Sequence, residues 1–137
     1  MASVLNPYIN FRGTAAEAMT FYQRVFGGEL VLTTFGDFGV TDYPGAEAQI
    51  MHSKLETPSG FVLMASDTPE PRELTFGTNV SVSLGGDDTD ELTGYWEKLV
   101  EGATVLAPLT KAPWGDSFGM LTDRFGVQWL VNIAGAA

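Results

Sequence analysis

Two stretches of the chain carry apolar residues at helical spacing. Ala18, Phe21, Tyr22, Val25 and Phe26 fall on one helix face, and Leu92, Tyr95, Trp96, Leu99 and Val100 repeat that face at the same offsets. Each stretch follows a helix-start signal: Thr14-Ala15-Ala16-Glu17 has the form of a capping box, and Asp88-Thr89-Asp90-Glu91 offers the related acidic version. Gly28 and Gly102 end the two patterns, each just ahead of a β-prone run, Leu30 to Thr34 and Ala103 to Leu106. A strand is expected before each helix, Val4 to Phe11 and Asn79 to Leu84. Later in each half, Leu55 to Met64 lies over Leu121 to Leu130, and both segments read as hairpins turning at glycine.

The chain therefore repeats itself in the order strand, helix, three strands. This pattern predicts an α+β protein of two βαβββ modules, residues 1–66 and 77–134, within a single domain spanning 1–137. The stretch from Asp67 to Phe76, with Pro69 and Pro71, is read as the connection between modules. The other irregular region, Gly36 to Gly45, carries Phe38 and Tyr43 and reads either as a surface loop anchored by its aromatics or as a lid.

Composition narrows the function classes. Seven basic residues against seventeen acidic ones give a formal charge of −10, a poor match to phosphate backbones or anionic lipid. The apolar runs are short and the first residues lack a basic segment with an apolar core, so a soluble, cytoplasmic protein is expected, with no nucleic acid or membrane as partner. With no cysteine, thiolate metal sites and thiol nucleophiles are both ruled out. Gly85-Gly86 lies between a strand and a helix but lacks the Gly-x-Gly-x-x-Gly spacing of a cofactor cradle.

Within this frame, particular motifs resemble the vicinal oxygen chelate superfamily, which includes glyoxalase I, fosfomycin-resistance enzymes, extradiol dioxygenases and bleomycin-binding proteins, and within it the PhnB-like branch. They are Pro7-Tyr8-Ile9-Asn10-Phe11-Arg12-Gly13, Ala16-Glu17-Ala18, Phe21-Tyr22, Val25-Phe26-Gly27-Gly28, Met51-His52, Ser66-Asp67, Trp114-Gly115-Asp116 and Asp123-Arg124-Phe125-Gly126-Val127-Gln128-Trp129. The resemblance implies half-open sheets around a pocket and a homodimer. In metal-dependent relatives four inward-facing side chains hold the ion, and the internal repeat puts their counterparts near Asn6, Asn79, Met64 and Leu130. Two amides, a thioether and an alkyl chain make a poor set for a divalent ion. No metal and no cofactor are therefore expected.

Candidate ligand-binding residues are Asn6, Tyr8 and Asn10 on one strand face, Asn79 and Ser81 on another, and His52, Met64 and Trp129. Together they offer amide, hydroxyl, phenol and aromatic groups with little fixed charge. His52 is the only histidine, so it is the natural candidate for acid–base catalysis near neutral pH; the alternative is a pocket-wall imidazole satisfied by local hydrogen bonds. Ser53 should face away from it, which leaves a serine triad unsupported. Arg12 and Arg124 are either anion-binding groups or solvated loop arginines. The leading expectation is a metal-free small-molecule-binding protein that sequesters or senses a hydrophobic organic ligand. The alternative is a metal-dependent lyase, isomerase or transferase of the glyoxalase and fosfomycin-resistance type, so whether the protein is an enzyme stays open at this level.

Overall fold

Alternating burial builds the first sheet. In the computed structural model, which describes residues 3–135, the unit Met1–Thr75 contains β1 (Tyr8–Phe11), α1 (Ala15–Phe26), β2 (Glu29–Thr34), β3 (Ile50–Glu56) and β4 (Val62–Asp67). The strands lie in the order β1-β4-β3-β2, with β1 and β4 parallel and the other pairs antiparallel. Phe11, Leu55, Leu63 and Ala65 point to one side and are buried with Met19, Phe21, Tyr22 and Val25 of α1. Removing side chains of this size from water contributes about 1.5–3 kcal/mol each, which is what seats the helix on the sheet.

The unit Phe76–Ala137 repeats the plan with β5 (Val82–Gly86), α2 (Thr89–Leu99), β6 (Thr104–Lys111), β7 (Ser117–Thr122) and β8 (Gln128–Ile133). Its strand order, β5-β8-β7-β6, is the same once the numbers are shifted, and β5 and β8 are again the parallel pair. The fold is α+β, two βαβββ modules, as the repeat predicts. Here Trp96 of α2 packs against β7 at Gly119, where an added Cβ would sit 2.8 Å from the indole. Only glycine admits that approach.

The two helix starts differ from each other. Asp88 caps α2 as expected, its carboxylate accepting from Glu91 N–H at 3.1 Å. Thr14 makes no side-chain cap; its backbone is not in the extended geometry that aims a hydroxyl at the first turn. Instead Asp67, at the end of β4, accepts from Ala15 N–H at 3.0 Å and from Ile50 N–H at 2.9 Å. One buried carboxylate thus ties α1, β3 and β4 together.

Local chemistry sets the element boundaries. β1 begins at Tyr8 rather than Val4 because Pro7, with no N–H, stops the ladder, although its carbonyl still accepts from Met64 N–H at 3.1 Å. Asn6 therefore precedes the strand, and Asn79 and Ser81 precede β5. β6 continues to Lys111 with irregular register around Ala107 and Thr110, and its proline, Pro108, is tolerated because β6 is an edge strand. Gly27, not Gly28, caps α1; Gly28 instead presses on the Glu56–Thr57 backbone, where a Cβ would overlap the Glu56 carbonyl.

Loops are pinned by specific bonds. Arg12 donates to the carbonyls of Thr68 at 2.9 Å and Arg72 at 2.7 Å, which commits it to holding the segment after β4. Arg124 lies 3.9 Å from Glu101 and over the Phe125 ring. In the loop 36–45 it is Phe35 that packs edge-on to Tyr43, while Phe38 points to solvent.

Candidate functional site

The face of the first sheet turned away from α1 mixes polar and apolar side chains. Tyr8, Met64 and Lys54 lie side by side across β1, β4 and β3, and Asn10 is next to Ser66. The Tyr8 ring leans across β4 toward β3, so that Tyr8 Oη and His52 Nδ1 are 3.5 Å apart and the two rings are inclined at 29°, with centroids 6.0 Å apart. At that length the polar contact is weak, and either group can turn to a ligand. Ser66 Oγ donates to Asn10 Oδ1 at 3.3 Å. Lys54 is neutralised by Glu56 at 3.3 Å. Four of the candidate residues, Tyr8, Asn10, His52 and Met64, therefore share one surface. Ser53 is on the helix side, fully buried, and donates to Ala65 O at 2.7 Å, which removes it from any partnership with His52.

In the second unit the face away from α2 is formed by Phe118, Met120, Leu130, Asn132 and Gln128. Ser81 reaches this face from the segment before β5, its Oγ 3.5 Å from Gln128 Oε1. Asn79 is exposed in the same segment, and Asn6 is half-buried ahead of β1. Trp129 is a correction. It lies on the opposite, helix-facing side, 1% exposed, with its indole N–H donating to Asp123 Oδ2 at 2.8 Å. It is a core anchor because it shares strand parity with Val131 and Ile133, both buried.

Sequence reasoning missed Ser66, Lys54 and Phe118 as members of the open faces. Period-two counting from Met64 and His52 reaches the first two. Phe118 is reached by the internal repeat, which lays it over His52.

Among the described residues no three His, Asp or Glu side chains gather. The first open face offers a single imidazole beside an ammonium, and the four family positions offer amide, thioether and alkyl groups. This donor set does not fit a divalent transition ion.

Asp116, at the start of β7, is held below the usual carboxylate range by the backbone N–H of Gly135 and then by the amide of Asn132, against a smaller opposing effect of burial. Its carboxylate accepts from those groups at 2.8 and 3.0 Å. A depressed folded-state pKa means that the stabilisation is fully present above the unfolded-state value and is lost as pH falls through the folded one. Acidification below about pH 4 should therefore lower the melting temperature of the parent more steeply than that of Asp116→Asn. Parallel slopes would contradict this.

Two duplicated βαβββ units, each with one sheet face covered by a helix and the other lined with polar and aromatic side chains, define a glyoxalase-type protein. Residues 5–131 match the Glyoxalase/Bleomycin resistance protein/Dioxygenase superfamily, and the chain belongs to it. Among solved structures, protein PA1353 from Pseudomonas aeruginosa is 37% identical, with a TM-score of 0.85 over 97% of this chain and 98% of that one. A PhnB protein from Bacillus cereus is 28% identical, with a TM-score of 0.78 over 96% and 100%. Protein YjdN of Escherichia coli K12 is 24% identical over 94% of each chain. Among the described residues no helix is long and apolar enough to cross a membrane.

Proposed function

We propose that this protein binds a small organic molecule on its open sheet surfaces without a resident metal, and acts by sequestering or sensing that molecule. The observation that carries this reading is the Tyr8–His52 pair on the same sheet face as Met64 and Asn10. Aromatic and thioether surface supplies contact area, while phenol, imidazole and amide supply directional hydrogen bonds. With Lys54 and Glu56 cancelling and the whole chain at −10, the surface favours a neutral or cationic ligand over an anion. Homodimerisation, as in relatives, forms part of this proposal.

Tyr8 is 45% exposed, so its removal tests binding with little confounding loss of fold. Tyr8→Ala should weaken a ligand found by screening by about 1–3 kcal/mol, read by calorimetric titration, while its thermal melt stays near that of the parent. Unchanged affinity in a folded variant would remove Tyr8 from the site.

A further inference from the structure

Of the three tryptophans, Trp96 and Trp129 are buried, whereas Trp114 is 66% exposed. It sits in the turn between β6 and β7, and that turn is tightly held. Ala112 N–H donates to Asp116 O at 2.6 Å, and Gly115 N–H donates to Ala112 O at 3.0 Å. The Asp116 carboxylate fastens the turn to Gly135 and to Asn132 of β8. The backbone at Gly135 packs so closely that a Cβ there would overlap the Gly115 carbonyl. An indole placed in solvent adds little to folding, yet the backbone beneath it is fixed from three directions. Such preorganisation suits a contact surface, because the ordering loss on binding is already met.

The next aromatic along the chain completes a corner. Phe118 projects from β7 on the side away from α2, its ring 6.2 Å from that of Trp114 and inclined to it at 65°. Asn132 is the register partner of Phe118. Since a carboxylate only accepts, Asn132 turns its Nδ2 to Asp116 and presents Oδ1 as an acceptor. The corner thus combines two π surfaces, an amide acceptor and a neighbouring carboxylate.

We propose that the Trp114–Phe118 corner is a subsite for a planar nitrogen heteroaromatic cation, stacked on the indole with an N–H donated to Asn132 Oδ1. Rings attract cations through their negative faces, and the carboxylate of Asp116 has the complementary sign. This inference rests on the reading that the open faces bind organic molecules, and it adds the chemical class taken by the second unit.

Calorimetric titration of the full chain with aminoquinolinium and with naphthalenesulfonate tests it. Aminoquinolinium should bind saturably, quench the solvent-exposed tryptophan emission, and lose about tenfold in affinity in Trp114→Ala, whose thermal melt stays near that of the parent. Naphthalenesulfonate should bind more weakly still. Equal affinity for the sulfonate, undiminished binding in Trp114→Ala, or no saturable heat with aminoquinolinium would each overturn the proposal. So would a parent whose Trp114 is shielded from acrylamide only at concentrations where it dimerises, since a second copy would then be the occupant. If screened ligands still depend on Tyr8 while aminoquinolinium fails, this inference falls and the general binding reading stands.

Discussion

Trp129→Ala is expected to lower the free energy of unfolding by about 3–5 kcal/mol, the range for deleting a large buried aromatic. The indole is almost wholly enclosed, and its N–H belongs to a small network centred on Asp123. The Asp123 carboxylate also accepts from Phe125 N–H at 2.8 Å and Val127 N–H at 3.0 Å, closing the turn before β8. Asp123→Ala should therefore also destabilise strongly, since leaving a buried donor unpaired costs about 1–3 kcal/mol. The double variant should lose less than the sum of the two single ones, because both changes break the same indole–carboxylate bond. Urea denaturation followed by circular dichroism checks all three. A loss below about 1 kcal/mol for Trp129→Ala would mean that the side chain is not the core anchor described.

The second large effect is expected at Asp67. This residue is 4% exposed and its two oxygens serve two backbone donors from different elements. Asp67→Ala orphans both, and a loss of about 2–6 kcal/mol in sum follows. Asp67→Asn keeps one acceptor and presents an N–H where another donor already points, so an intermediate loss is expected. Hydrogen exchange locates the effect: protection should fall first at Ala15 and Ile50. A uniform loss across the unit, with those two amides no worse than their neighbours, would contradict the assigned role.

These two residues also mark where the sequence was and was not readable. The helix faces, the glycine turns and the Asp88 cap depend on neighbours a few positions away, and each was legible from local spacing. The α1 cap was not, since Asp67 reaches Ala15 from 52 residues away and no local pattern announces it. Trp129 is a different case. The internal repeat lays Trp129 over Leu63 and Leu130 over Met64, and Leu63 is a core residue. Trp129 and Met64 therefore lie on opposite faces of equivalent strands, which parity alone distinguishes. The same parity rule puts Tyr8 and Asn10 on a common face, whereas Asn6, Asn79 and Ser81 precede strands that begin later than the β-prone runs suggest.

Ligand binding without a metal can be read from a thermal-shift screen of organic compounds on the purified protein, run with and without chelator. A ligand selective for the folded state raises apparent stability whatever its chemistry, by about 2.7 kcal/mol at a hundred times its Kd. At least one neutral or cationic compound should raise the melting temperature by the same amount in both conditions, and the purified protein should carry no stoichiometric transition ion. A stoichiometric ion whose removal abolishes the shift, or whose addition switches on turnover, would contradict it.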